Sequence, residues 1–353
     1  MNSTLQHRSL NVNGIQMHVV EQGPVNNKSE GKYPLAICCH GWPELGFSWR
    51  HQIPALVDAG FRVAVPDMRG FGKTEAPPEI PQYTILHMVG DIVGLVAALG
   101  EQQAVVIGHD WGAPVAWSCA MMRPDVFPRV IAMSVPHRPR GPAAPIAILR
   151  KQGLYNYYWC YFQTPGVAEA EFERDVSVTL RKIIYGVSGD APIDRESPLM
   201  VPEGHGFIDH LRVPEKLPEW MSEEDLAVFV AEYARTGFRG GLNWYRNIDR
   251  NWELMAPYAG AAVTVPALYI AGDLDLVVSF PRMKEVIADL ARYIPQLRGT
   301  IMLPGCGHWT QQERPNEVNK AIIDFLHGLQ TSPLIQSDGG SSQTPHGPRQ
   351  PSE

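Results

Sequence analysis

The stretch Val105-Val106-Ile107-Gly108-His109-Asp110-Trp111-Gly112 decides the fold. An apolar run ends in G-x-D-x-G, and a helix-forming segment, residues 113–122, follows at once. Glycines at both ends of so short a turn allow a sharp change of direction from strand to helix, which pushes the central side chain, Asp110, outward at the end of the strand. Taken alone, the five residues fit an ordinary glycine turn with an aspartate capping the next helix equally well. The rest of the chain has to decide between them.

Outward from this turn, short apolar runs recur at residues 35–39, 61–66, 104–107, 130–135, 267–271 and 300–303. Runs that are apolar at consecutive positions suit strands buried on both faces, as in a parallel sheet covered by helices. Residues 85–99 carry apolar side chains at helical spacing and stop at Gly100, a glycine placed to end a helix. Near the start, residues 9–12 and 15–21 alternate around Asn13-Gly14, the dipeptide of a tight antiparallel hairpin. Strand and helix alternate, so the class is α/β, a mostly parallel central sheet flanked by helices. The rhythm breaks between 135 and 267. A proline-rich hinge at 136–145 leads into segments that read as helices, at 146–161, 168–184, 223–235 and 244–255, with loops around 192–218. The organisation expected is one α/β core, residues 1–135 and 265–330, interrupted by a helical lid over 136–264. Residues 331–353, rich in Ser, Gly, Pro and Gln, read as a disordered tail.

The chain of 353 residues is 44% hydrophobic and 19% charged, enough for a sizeable core, which excludes a disordered regulator. The net charge is -7 and no block of Lys and Arg exists, so neither nucleic acid nor an anionic membrane is an expected partner. A small neutral or apolar molecule is. The first residues are polar and no apolar run approaches the ~18 residues of a membrane span, so no removable signal or anchor is expected. Five cysteines form no C-x-x-C pair, and the neighbours Cys38 and Cys39 fall on opposite faces of one strand; reduced thiols of a cytoplasmic protein are the simplest reading. Cys306 and His308 have no further Cys or His at ligand spacing, so no metal or cofactor is expected.

Three other strand-end loops carry chemistry: His40-Gly41-Trp42-Pro43-Glu44, Ala271-Gly272-Asp273-Leu274-Asp275 and Pro304-Gly305-Cys306-Gly307-His308-Trp309. With Asp110 they give the order nucleophile, acid, histidine, each at the carboxyl end of a predicted strand, where open parallel sheets bind ligands. That is the α/β-hydrolase order. The backbone N–H groups of Trp42 and Trp111 are placed to form an oxyanion hole. Asp273 and Asp275 both compete for the acid, and the absence of Ser at the turn excludes an ordinary serine esterase.

Over residues 15–329 the chain resembles the soluble type of epoxide hydrolase built on the α/β-hydrolase fold. The resemblance is carried by residues 40–44, 108–112 and 307–309, and in the lid by Tyr161-Phe162-Gln163-Thr164-Pro165-Gly166-Val167-Ala168-Glu169-Ala170-Glu171 and the segment Gly237 to Asn247. It implies that Tyr158 and Tyr245 bind the epoxide oxygen, that Asp275 is the acid, and that Glu44 and His109 orient the hydrolytic water. It further implies a cis bond between Trp42 and Pro43 and leaves no room for an extra amino-terminal domain. Tyr157 rivals Tyr158 within the crowd of Tyr155, Tyr157, Tyr158 and Tyr161. Residues 67–72 read as a structural loop.

The chemistry needs these residue types. A carboxylate is ionised at neutral pH and can open the ring without a base, leaving an ester on Asp110. Tyrosine, with an ordinary pKa near 10, keeps its proton and can donate it to the alkoxide that forms. His308 then activates water against the ester while Asp275 holds its tautomer. Two rivals share the fold: a haloalkane or haloacid dehalogenase, with the indole N–H of Trp111 on a halide, and a receptor that binds without turnover. The lid tyrosines favour an oxygen leaving group, and the complete Asp110, Asp275 and His308 set favours turnover.

Overall fold

The computed structural model describes residues 4–24, 33–192, 199–209 and 211–328. The expected disordered tail at 331–353 therefore lies outside the described residues. The hairpin is β1 (Gln6–Val12) and β2 (Ile15–Gln22), turned by Asn13 and Gly14 with φ of 47° and 80°. Positive φ at both central residues is what a twisted two-residue turn requires. Six further strands follow: β3 (Leu35–Cys39), β4 (Arg62–Pro66), β5 (Ala104–His109), β6 (Arg129–Met133), β7 (Ala267–Gly272) and β8 (Leu297–Leu303). They form one sheet in the order β1-β2-β4-β3-β5-β6-β7-β8, antiparallel from β1 to β4 by way of β2 and parallel thereafter.

The chain runs from β3 to β4 on one side and returns past β3 to β5 on the other. Adjacent strands whose connections leave in opposite directions open a crevice at their carboxyl ends, and here those ends belong to β3 and β5. The central strands alternate between two cores. Leu35, Ile37 and Cys39 of β3 face one, Ala36 and Cys38 the other, so the two cysteines do point to opposite faces. Helices α1 (Gln52–Asp58), α2 (Ile85–Ala98) and α3 (Gly112–Met122) cover the sheet. β8 is longer than its apolar run because it is an edge strand, half-buried and exposed in alternation up to the buried Leu303, with Gly299 inside it. β6 is shorter: it ends at Met133 because Ser134 takes φ 69°.

Between β6 and β7 the described elements are helices, α4 (Pro145–Lys151), α5 (Tyr158–Tyr161), α6 (Val167–Phe172), α7 (Val176–Gly186), α8 (Glu223–Thr236), α9 (Arg239–Arg246) and α10 (Ile248–Leu254), joined by loops. Three of the expected long helices are broken. Gly153 at φ 78° interrupts 146–161, Asp175 restarts the chain by accepting the Val178 N–H at 3.0 Å, and Asn247 separates α9 from α10. Apolar periodicity continues through such breaks, because all the pieces bury the same side. After β7 come α11 (Met283–Ala288), α12 (Leu290–Tyr293), α13 (Thr310–Glu313) and α14 (Pro315–Gly328), the last packing Val318, Ile322 and Leu326 onto the second core with Ile53, Leu56 and Val57 of α1. Among the described residues no helix is long and apolar enough to cross a membrane.

Candidate active site

Asp110 sits between β5 and α3 at φ 50°, a left-handed conformation rare outside glycine. Both flanking glycines are obligatory on packing grounds. A Cβ on Gly108 would lie 2.0 Å from the Gly112 carbonyl oxygen, and one on Gly112 would lie 2.1 Å from the Cys39 carbonyl oxygen. The turn thus wedges against the end of β3 and holds Asp110 out of the sheet. Gly41 leaves room for the carboxylate, since a Cβ there would meet Asp110 Oδ1 at 2.3 Å. The next residue closes the contact: the Trp42 N–H donates to Asp110 Oδ1 at 2.7 Å, and the Trp42–Pro43 bond is cis. The Trp111 amide lies at the start of α3, among the N–H groups that helix geometry leaves without an intrahelical acceptor.

The other carboxylate oxygen, Oδ2, faces His308 Nε2 at 3.5 Å, and His308 Nδ1 meets Asp275 Oδ1 at 2.9 Å. Asp275 is buried and also accepts the Val277 N–H. Its rival Asp273 caps the neighbouring loop instead, accepting the Gly305 N–H at 2.7 Å. Burial disfavours the His308 imidazolium, but Asp275 and Asp110 on its two sides raise its pKa well above the ordinary value. Burial likewise disfavours the Asp275 carboxylate, and His308 holds its pKa down. The two shifts describe one coupled pair.

Glu44 and His109 lie behind this row, both almost wholly buried. Glu44 Oε2 meets His109 Nδ1 at 2.7 Å and accepts the Gly41 N–H at 2.9 Å, while Oε1 accepts the Gln311 amide at 2.9 Å. The second nitrogen of His109 meets the carbonyl oxygen of His308 at 2.7 Å. A carboxylate and a carbonyl can only accept, so both ring nitrogens must donate and His109 is an imidazolium. Burial opposes that charge; Glu44 outweighs it and raises the His109 pKa. Glu44 itself, against the cost of burial, is brought down to about 2 by His109. The pair bridges the Gly41 loop to the His308 loop.

On the other side of Asp110 stand two phenols from the helical insertion. Tyr158 opens α5 and Tyr245 lies in the last turn of α9; their rings are 5.9 Å apart, and Tyr245 meets the Trp111 and Trp42 rings edge-on at 5.1 and 5.6 Å. Burial, and after it neighbours that include Asp110, raise both phenol pKa values well above 10, so both keep their protons. Tyr157 packs its ring against Tyr158 at 4.9 Å and against Trp159, one step further from Tyr245. The two tyrosine segments are braced together. The Gln163 amide donates to the carbonyls of Trp159 and Tyr245, and Arg246 donates to the Phe162 carbonyl while pairing with Glu169 at 2.7 Å.

Two groups escaped the sequence reading. Glu313 accepts the backbone N–H groups of Gly189, Gly307 and Trp309 and so holds the His308 loop. Ser134 places its hydroxyl 3.1 Å from His308 Nδ1. Neither belongs to a motif, and the contacts of Glu313 are to backbone, which carries no sequence signal. Among the described residues no group of three or more His, Cys, Asp or Glu side chains is arranged to hold a metal ion.

Known proteins share this arrangement of chain. Residues 34–183 match the family described as alpha/beta hydrolase fold. Epoxide hydrolase A of Mycobacterium tuberculosis is 43% identical over 92% of this chain and 98% of its own length, and epoxide hydrolase 1 of Siraitia grosvenorii is 41% identical over 91% and 98%. The crystal structure of epoxide hydrolase A from Mycobacterium thermoresistibile superposes with a TM-score of 0.85 at 45% identity, covering 92% of this chain and 99% of that one. With identity of this order along nearly the whole folded length, the chain belongs to the epoxide hydrolases of the α/β-hydrolase fold.

Proposed function

We propose that this protein hydrolyses small-molecule epoxides to vicinal diols through an ester of Asp110. One observation carries the reading: a carboxylate, at the turn where related folds hold a serine, lies between a buried His308–Asp275 pair and two protonated phenols, Tyr245 buried and Tyr158 half-buried. Trp42 occupies Asp110 Oδ1, so Oδ2 is the attacking atom. It forms a bond to one ring carbon as the carbon–oxygen bond breaks, and the departing oxygen takes a proton from Tyr158 or Tyr245.

The ester is then cleaved at Asp110 Cγ. His308 takes a proton from water, hydroxide adds to Cγ, and the oxyanion develops on Oδ1, against the amides of Trp42 and Trp111. Collapse expels the diol oxygen, which takes the proton from His308; the acid left on Asp110 returns its proton to the phenolate. Asp110 Oδ2 leaves in the diol, and the water oxygen stays on the enzyme.

The test is a single turnover. His308→Gln mixed with a styrene-type epoxide should gain the mass of one substrate and keep it, whereas Asp110→Ala should gain nothing. In oxygen-18 water the wild type should release unlabelled diol and carry the label in the peptide containing Asp110. An unmodified His308→Gln variant that demonstrably binds substrate would sink the ester route. Chloride released from a chloroalkane, with no diol from any epoxide, would transfer the site to dehalogenation.

A further inference from the structure

Ser134 stands where β6 ends. It is buried, and it is one of four non-glycine residues with positive φ among those described, at 69°. Asn13 and Asp110, two of the others, hold positions that a hairpin and the catalytic turn demand. The conformation of Ser134 is fixed from both sides of its backbone: its N–H donates to the Ile270 carbonyl at 3.0 Å, and its carbonyl accepts the Tyr269 hydroxyl at 2.7 Å. The result aims Oγ at His308 Nδ1, 3.1 Å away.

That nitrogen already serves Asp275 Oδ1 at 2.9 Å, so it carries the proton and cannot accept the hydroxyl hydrogen of Ser134. The hydrogen needs another acceptor. Asp275 Oδ2 is buried, and no group closes a hydrogen bond of full geometry on it. We propose that Ser134 is a positioning residue of the hydrolytic half-reaction: its hydroxyl offers a lone pair to the His308 Nδ1–H and turns its hydrogen to Asp275, binding acid and base into one unit and setting the pH range in which His308 works. Burial works against the Asp275 carboxylate; His308, and after it the nearby Ser134 hydroxyl, lower its pKa. The role rests on the ester route proposed above.

The sign follows from charge. Removing the hydroxyl takes a lone pair from the His308 Nδ1–H, which favours deprotonation, and a donor from Asp275, which opposes it; the second effect acts through a full charge on a buried neighbour and outweighs the first, so the imidazolium becomes harder to deprotonate. The other groups facing this pair are Asp110 and His109 from the β5 end, Tyr269 from β7, and Cys306 and Glu313 from the last loop and α13. Substituting Ser134 leaves all of them in place.

The experiment follows formation and decay of the Asp110 ester separately, by quenched-flow mass spectrometry across the pH range, in wild type, Ser134→Ala, Ser134→Gly and Ser134→Asn. In the alanine and glycine variants the acidic limb of ester decay should move up by about one pH unit, a roughly tenfold slower decay on that limb, with ester formation within about twofold of wild type. Asparagine tolerates positive φ and supplies a donor, so Ser134→Asn should restore the limb. A wild-type limb in Ser134→Ala overturns the role, and so does a normal Ser134→Gly beside an impaired Ser134→Ala, because only backbone strain then matters. Absence of any ester in the wild type would instead overturn the route on which the role stands.

Discussion

The two walls around Asp110 are built by different means. On one side, strand ends and the loops after them carry charge: Asp110, His308 and Asp275 in a row, with the Glu44–His109 ion pair behind, and Asp110, Asp275, Glu44 and His109 are each tied to a backbone N–H or C=O group. On the other side, α5 and α9 bring neutral phenols set among aromatic rings, Phe162 and Phe207 against Tyr158 and the indoles of Trp42 and Trp111 against Tyr245. A buried charge has to be hydrogen-bonded and paired, which a rigid sheet edge supplies; a neutral phenol needs only placement, which packing supplies. Division of labour follows. The charged wall should govern hydrolysis of the ester, the aromatic wall its formation.

Single-turnover kinetics would break this division most directly at His308. His308→Gln should slow ester decay by on the order of 10⁴ and leave ester formation nearly intact. In the wild type the same residue should set the pH dependence. His308 must be neutral to take a proton from water, and its pKa is raised, so decay should quicken as pH climbs through neutrality into the alkaline range. A decay rate flat in pH would remove His308 from that role.

The mirror experiment on the aromatic wall is Tyr245→Phe. Loss of the phenol should slow ester formation by about 10² while decay stays at the wild-type rate, and a variant slowed only in decay would erase the distinction between the walls.

Glu44→Gln sharpens the comparison through stability. The folded-state pKa of about 2 lies below the ordinary 4.5, so the stabilisation is present above pH 4.5 and drains away as pH falls towards 2. At neutral pH the substitution should cost about 3 kcal/mol, because it also strands the His109 charge. Urea unfolding at neutral pH and at pH near 3 would measure it, and the gap between wild type and variant should narrow in acid.

A smaller effect is expected at the brace between the tyrosine segments. Arg246→Lys keeps charge but not the fork that serves Glu169, Asn243 and the Phe162 carbonyl together. Ester formation should fall by about tenfold, roughly 1.4 kcal/mol, with no change in decay. Least affected should be Asp273→Asn, whose side chain caps a loop at the surface; thermal unfolding should register at most about 1 kcal/mol and neither half-reaction should change.

Much of this site was legible in the sequence. Five of the six apolar runs lie within a residue or two of their strands, and the sixth lies within β8, because strands covered on both faces leave no polar alternation to blur their edges. The pairing of Gly108 and Gly112 around Asp110 was legible too. What escaped shares one physical cause. The helix breaks at Gly153, Asp175 and Asn247 interrupt segments whose apolar faces carry on unchanged, and Ser134 looked like the continuation of an apolar strand. Its φ is set by Tyr269 and Ile270, which the strand before it does not contain.

The sequence by itself determined the class of fold, the carboxylate at the turn and the order in which acid and histidine follow, because strand burial and glycine geometry are local and leave local marks. Only the tertiary structure decided which of two aspartates faces His308, which of two neighbouring tyrosines sets its ring beside Tyr245, and that Glu44 and His109 form an ion pair bridging two loops. Those choices turn on the direction of a side chain at the end of a strand or a short helix. A shift of one or two residues reverses that direction, and only contacts from distant segments hold it.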